Sequence, residues 1–263
     1  MLVTTASDGT DVEAFDEGSG PIILVVPPGM DDGSGYARVA ATLADRFRVL
    51  RLRRRQYRLD LPAPVTIADE VRDIEALVRA VDEQMLLVGH SSGAVVALEA
   101  LVAMPHAFIG AVLYEPPVVT DLPLGEPGAE AATRAAVDAG KPGAALAIFL
   151  RDVVRIPAAA AWLTRAALPF MPKYKALVPR QIDDLSSLIA LGDRRDAYRG
   201  IATPVLLLGG GKSPSHLAAR LDALQEILPH CSRAVMPSQG HTANTQGVDE
   251  LAKIIARYAE TRD

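Results

Sequence analysis

The serine with the clearest chemical signature lies in Gly89-His90-Ser91-Ser92-Gly93, between an apolar run and an apolar segment of helical character. An apolar strand, a Gly-x-Ser-x-Gly turn and a helix together form a nucleophile elbow. The turn strains the backbone at the serine, and the flanking glycines relieve the crowding. We therefore predict that Ser91 is an exposed nucleophile. The backbone N–H of Ser92, at a helix start without an intrahelical partner, is predicted to stabilise an oxyanion.

Strand-like and helix-like segments alternate on both sides of this turn. Residues 1–17 alternate apolar and polar side chains around Asp8-Gly9, which predicts a hairpin. Thr66 is a plausible N-cap for a helix that reaches Val81. Further strands are predicted at 22–26, 49–52, 85–88, 109–114, 204–208 and 233–236, with helices at 36–47, 94–104, 215–228 and 248–258. This alternation predicts an α/β fold with a mostly parallel sheet.

The alternation stops between residues 120 and 200, where alanine-rich helical stretches are predicted at 129–139, 143–154 and 158–167. Four prolines at 157, 169, 172 and 179 are predicted to interrupt these helices. We interpret residues 120–200 as a helical insertion, called the cap below. Residues 1–119 and 201–263 form the core, and cap and core are predicted to make one structural domain.

These features resemble the α/β-hydrolase-fold superfamily over nearly the whole chain, and the elbow and Gly240-His241 carry most of the resemblance. The resemblance implies eight strands, helices on both faces of the sheet and a cap after the sixth strand. It also implies the chain order serine, acid, histidine for a catalytic triad. His241, between the last strand and the last helix, is then the base. Histidine suits that role because its ordinary pKa lets it accept and return a proton near neutrality.

The acid departs from the commoner pattern of the superfamily. Many members place an aspartate just after the seventh strand, where this chain reads Gly209-Gly210-Gly211-Lys212-Ser213. Glu115 follows the sixth strand, and this region is similar to the zearalenone-type lactone hydrolases, which use a Ser-His-Glu arrangement. The resemblance implies that Glu115 orients His241 and stabilises its charged form. Asp121 is the alternative acid.

The turn after the third strand, Pro28-Gly29-Met30, is expected to supply a second oxyanion donor. Proline has no N–H, so the donor is Gly29 or Met30. The apolar side chains of the cap favour a hydrophobic substrate, and we predict that Trp162 or Met171 lines its pocket.

A run of arginines at 51, 53, 54, 55 and 58 has two alternative interpretations. It either attracts an anionic group to the site or forms a solvated loop paired with local acids, and the second is the commoner case.

Composition narrows the classes of function. The chain has 263 residues, 49% of them hydrophobic, and a net charge of −5, which does not favour nucleic-acid binding. A single cysteine, the lack of a signal-like N-terminus and the short apolar runs predict a cytoplasmic protein without a membrane segment. Neither a phosphate-binding loop nor a metal-ligand motif is found, so we expect no cofactor and no metal. A monomer and a homodimer are both compatible with the composition.

The leading hypothesis is a cofactor-free serine hydrolase that cleaves a small hydrophobic ester or lactone through an acyl-enzyme. Two alternatives remain, because a fold does not determine function. The scaffold could support a lyase or cyclase, or the triad could be vestigial in a ligand-binding protein.

Overall fold

Eight strands form one sheet in the computed structural model, which describes residues 1–262. The strands are β1 (Leu2–Thr5), β2 (Asp11–Glu17), β3 (Ile22–Val26), β4 (Arg48–Leu52), β5 (Met85–His90), β6 (Phe108–Tyr114), β7 (Val205–Gly210) and β8 (Cys231–Met236). Their order across the sheet is β1-β2-β4-β3-β5-β6-β7-β8. The pairings of β1 with β2 and of β2 with β4 are antiparallel, and the other five pairings are parallel. The predicted fold class and mostly parallel sheet are confirmed.

Helices cover both faces of this sheet, and further helices form the cap. They are α1 (Ala37–Leu43), α2 (Ile67–Val81), α3 (Ser92–Ala103), α4 (Ala129–Asp138), α5 (Pro142–Ile148), α6 (Ala158–Ala167), α7 (Pro172–Leu191), α8 (Arg195–Tyr198), α9 (Ser215–Ile227), α10 (Ala243–Gln246) and α11 (Val248–Glu260). Within β3, Leu24 lies in one hydrophobic core with α2, α3 and α9, and Val25 lies in the other with α1 and α11. The alternation follows from the pleat, which points successive side chains to opposite faces. It explains why the central strands are apolar throughout.

The carboxyl ends of the parallel strands lie along one edge of the sheet. The elbow follows β5, Glu115 follows β6, Gly211 follows β7 and the loop with His241 follows β8. Parallel strands present these ends on the same side, where ligands of open α/β sheets bind. The topology therefore brings together residues that are far apart in the chain.

Helices α4 to α8 lie in the cap, between β6 and β7. Three of the four prolines lie at helix starts or in a short 3₁₀ turn, but Pro179 lies inside α7. The predicted interruption there is wrong. An interior proline costs about 3 kcal/mol. The neighbours Leu177, Val178 and Ile182 are buried, and burial of each such side chain contributes roughly 1.5–3 kcal/mol, which outweighs that cost.

None of the helices between residues 1 and 262 is both long enough and apolar enough to cross a membrane.

Candidate active site

The backbone of Ser91 has the strained geometry expected of a nucleophile elbow. Its φ is 53° and its ψ is −128°, and its N–H donates to the carbonyl of Tyr114 at 2.8 Å. A Cβ on Gly93 would lie 2.3 Å from the Pro27 oxygen, and one on Gly89 would lie 2.6 Å from the Ala94 Cα. Helix α3 therefore packs so closely against β3 and β5 that a side chain at either glycine would clash.

Glu115 is placed at the sheet edge by strands on both sides of it. Its N–H donates to the Leu208 carbonyl at 3.1 Å, its φ is 47°, and the residue is 1% exposed. The Oε1 atom accepts a hydrogen bond from the Gly210 N–H at 2.7 Å. The last residue of β7 thus contributes a backbone donor to the carboxylate that directly follows β6.

His241 links this carboxylate to the serine. Its Nδ1 lies 2.6 Å from Glu115 Oε2, and its Nε2 lies 3.0 Å from Ser91 Oγ. Because a carboxylate only accepts, Nδ1 carries the proton, and Nε2 is left to accept the proton of the serine hydroxyl. The three predicted triad residues are therefore brought together in an unbroken chain of hydrogen bonds.

Asp121, the alternative acid, is not at this position. Its side chain is 90% exposed and pairs with Arg195 at 3.1 Å.

The residues just before Ser91 and Glu115 hold the histidine loop. His90 Nε2 lies 2.9 Å from the His241 carbonyl oxygen, and the Tyr114 hydroxyl donates to the Gly240 carbonyl. The rings of His90 and Tyr114 stack on each other with their centroids 4.4 Å apart. Since the partner is a carbonyl, His90 Nε2 carries the proton, and burial lowers the pKa of His90 well below its ordinary value.

No role for His90 is predicted from the sequence above, so this contact is one that the sequence pattern did not reveal. The position of His90 before the serine was the available signal.

Of the predicted oxyanion residues, Ser92 directly follows Ser91, and the loop that holds Gly29 and Met30 starts at Pro27, which packs against Gly93 of the elbow. Ser92 is buried at the first position of α3, and Met30 has a φ of 56° in the loop after β3. Asp31 shapes that loop, because its Oδ1 accepts from the N–H groups of Gly33 and Gly35, both at 2.9 Å. The N–H groups at the start of a helix have no intrahelical acceptor and can bind a developing negative charge.

The arginine run is paired with acids, as the commoner interpretation predicts, but most of it is buried rather than solvated. The buried members are Arg51, Arg54, Arg55 and Arg58. Their ion pairs join them to carboxylates of other elements, namely Glu13, Glu17, Glu70, Asp8, Asp73 and Asp184, and to Asp60 nearby. The expectation of a solvated loop is wrong because distant parts of the chain supply the counter-charges.

Trp162 and Met171 lie on the solvent-exposed surface of the cap, 62% and 41% exposed. Their role as pocket-lining residues remains a prediction.

Comparisons with known proteins agree with this architecture. Residues 22–254 match the model of the Alpha/beta hydrolase family. A 2-(acetamidomethylene)succinate hydrolase from Mesorhizobium japonicum is 27% identical over 258 residues, which cover 93% of this chain and 90% of that protein.

Solved structures show the same fold. An alpha/beta hydrolase from Sphaerobacter thermophilus superposes with a TM-score of 0.82 at 25% identity, over 96% of this chain and 99% of that one. An esterase from Exiguobacterium antarcticum gives 0.76 at 19% identity, over 98% and 99% of the two chains.

Proposed function

Because the chain belongs to the alpha/beta hydrolase family, we propose that it is a serine hydrolase that cleaves a carboxylic ester or lactone. The observation that carries the proposal is the chain of hydrogen bonds from Glu115 through His241 to Ser91, with distances of 2.6 and 3.0 Å. A base hydrogen-bonded to the hydroxyl and oriented by a third group is the arrangement that activates a serine.

In the acylation step, His241 Nε2 accepts the hydroxyl proton as Ser91 Oγ attacks the carbonyl carbon of the substrate. Glu115 stabilises the resulting imidazolium. The N–H of Ser92 and that of Met30 or Gly29 donate to the oxyanion, usually the largest electrostatic contribution to such a reaction. The carbonyl re-forms, the bond to the leaving oxygen breaks, and His241 returns the proton to that oxygen.

Deacylation repeats these events with water as the nucleophile. His241 removes a proton from the water as the water oxygen attacks the acyl carbon. The bond between the acyl carbon and Ser91 Oγ then breaks, and His241 passes the proton to that oxygen. With a lactone, the released alcohol remains part of the acyl group, so the product is one hydroxy acid. With an ester, the alcohol leaves before water attacks.

Two observations support the substrate class. The cap carries large apolar side chains, among them Trp162, Leu163 and Phe170, which suits a hydrophobic substrate. The buried arginines near the elbow already have carboxylate partners, which argues against their binding an anionic substrate. Since a relative's name specifies an acetamido compound, amides and that compound belong in the substrate panel beside esters and lactones.

The proposal is tested by reaction with a fluorophosphonate probe and location of the modified residue by peptide mass spectrometry. We expect rapid labelling at Ser91, loss of labelling in Ser91→Ala, and none after heat denaturation. The same two proteins are then assayed with p-nitrophenyl esters and a lactone panel. Absence of labelling and turnover in folded wild-type protein would overturn the proposal. Carbon–carbon bond chemistry without an acyl-enzyme would indicate a lyase, and ligand binding equal in both proteins without turnover would indicate a binding protein.

A further inference from the structure

A fully buried guanidinium lies directly behind the nucleophile elbow. Arg54 is 0% exposed, and its Nη1 donates to Ser92 Oγ at 2.7 Å and to the Pro27 carbonyl at 3.3 Å. Ser92 is the predicted first oxyanion donor, and Pro27 begins the loop that carries the second. One side chain therefore contacts both segments from which the oxyanion donors come.

The other nitrogens of Arg54 bind two carboxylates. Glu70 of α2 accepts from Nε at 2.9 Å and from Nη2 at 2.6 Å, and Asp184 of the cap helix α7 accepts from Nη2 at 3.0 Å. Burial opposes the charged form, but the carboxylates of Asp184 and Glu70 outweigh it and raise the pKa of Arg54. The guanidinium is therefore a permanent cation between the core and the cap.

Helix α7 reaches the second oxyanion segment as well. The Tyr57 hydroxyl lies 2.8 Å from Asp184 Oδ2 and 3.0 Å from Gln181 Oε1. A Cβ on Gly29 would lie 3.0 Å from that hydroxyl and 2.2 Å from Gln181 Oε1. Gly29 is thus packed against a polar cluster whose other side holds Ser92.

We propose that Arg54 and Asp184 are positioning residues that couple the seating of cap helix α7 to the geometry of the oxyanion hole. This inference rests on the proposed function. Asp184 holds the guanidinium, the guanidinium holds Ser92 Oγ, and Ser92 Oγ fixes the rotation of the peptide whose N–H faces the oxyanion. A buried, multiply hydrogen-bonded charge network restricts geometry strongly, even where it adds little net stability.

The inference predicts a defect in the transition state rather than in substrate binding. Oxyanion donors act through their exact placement, and a shift of about 1 Å lowers the rate by roughly two orders of magnitude. A cluster that only attaches the cap to the core would behave differently. Its loss would loosen the substrate pocket, raise KM and lower the melting temperature, with kcat little changed.

The test is Asp184→Asn, with Asp183→Asn as its matched control. Asp183 is the adjacent residue of α7, but its ion pair at 2.7 Å is with Arg134 of the cap helix α4, away from the elbow. We expect Asp184→Asn to lower kcat on a p-nitrophenyl ester by about 10–100-fold, with KM within threefold. We expect Asp183→Asn to stay within twofold of wild type in both constants.

A boronic acid inhibitor supplies the second readout, because its tetrahedral adduct with Ser91 places an oxygen in the oxyanion hole. Its affinity should fall with kcat/KM in Asp184→Asn and remain unchanged in Asp183→Asn. An unchanged kcat with a raised KM, or an unchanged boronate affinity, would overturn the inference.

Ser92→Ala decides the matter if Asp184→Asn does not fold. It removes the contact with Arg54 while keeping the backbone N–H and both ion pairs. We expect the same loss of kcat and boronate affinity, and wild-type values would refute the coupling. If wild-type protein turns over esters, but Asp184→Asn behaves like Asp183→Asn and Ser92→Ala behaves like wild type, the coupling fails and the proposed function stands. If wild-type protein neither reacts with the fluorophosphonate nor turns over esters, the proposed function fails and the coupling with it.

Discussion

Replacing Glu115 with glutamine removes the charge beside His241 while keeping the size of the side chain. The carboxylate accepts hydrogen bonds on both oxygens, from the His241 ring at 2.6 Å and from the Gly210 N–H at 2.7 Å. Glutamine has one acceptor and one donor group at this end. If its oxygen faced His241, its amide would meet the Gly210 N–H, and two buried donors would be left unpaired.

The opposite orientation keeps both hydrogen bonds and is therefore favoured. It places the amide donor against His241 Nδ1, which must then accept, so the proton moves to Nε2. A ring protonated at Nε2 cannot take the proton of Ser91. Loss of the correct tautomer in a serine protease triad lowers kcat by about 10,000-fold, which corresponds to about 5 kcal/mol in the activation free energy. The loss of stability should be smaller, about 1 kcal/mol, because two hydrogen bonds survive without their charge.

The assay compares kcat of wild-type protein and Glu115→Gln on a p-nitrophenyl ester, with thermal unfolding measured on the same samples. Asp121→Asn is the matched control, because this exposed carboxylate has the surface partner Arg195. We expect it to remain within twofold of wild type. The reasoning is refuted if Glu115→Gln keeps more than a tenth of wild-type kcat, or if Asp121→Asn loses as much activity as Glu115→Gln.

Three further predictions concern stability. Gly93→Ala should lose about 1–3 kcal/mol of unfolding free energy in a urea titration, because its Cβ would lie 2.3 Å from the Pro27 oxygen; a wild-type midpoint would contradict the close packing. Thr66→Ala should lose about 1 kcal/mol by the same method, since Thr66 and Asp69 form a capping box at the start of α2; no loss would mean that the cap is not stabilising. Folding lowers the pKa of His90. Below the ordinary pKa of about 6.5, the unfolded chain therefore binds a proton at His90 that the folded chain does not bind. The free energy of unfolding falls as the pH drops below that value. His90→Gln should therefore reduce the loss of stability between pH 7 and pH 5, and an unchanged slope would contradict the assignment of His90 as a buried neutral group.

The sequence was sufficient for the sheet and for the prediction that Ser91, Glu115 and His241 lie at one edge of it. Continuous apolar runs such as Ile22–Val26 predict buried parallel strands, and their carboxyl ends meet at one edge. Glu115 could be located because it follows such a run directly. Its second partner, the Gly210 N–H, could not be predicted, because a backbone donor has no signature in the side-chain pattern.

The errors arose where contacts distant in the chain override a local tendency. A dense arginine run normally faces solvent, but Arg54 is fully buried because Glu70 and Asp184 reach it from other helices. Pro179 normally ends a helix, but packing of its neighbours keeps α7 continuous. In both cases the deciding contacts are tertiary, and local helix propensity or charge pattern does not contain them.

The position of Glu115 directly after β6 also affects how the proposed site assembles during folding. Ser91 and Glu115 follow the adjacent strands β5 and β6, whereas His241 lies 150 residues from the serine and 126 from the glutamate. Ser91 and Glu115 therefore belong to one local unit of strand, helix and strand, the kind of unit in which short-range contacts form early. His241, the proposed proton acceptor, can join them only when β8 and α11 have packed. A chain that is incompletely folded, or that ends before β8, would have Ser91 without His241 beside it. Under the proposed function, the reactivity of Ser91 therefore reports that β8 and α11 have folded onto the rest of the molecule.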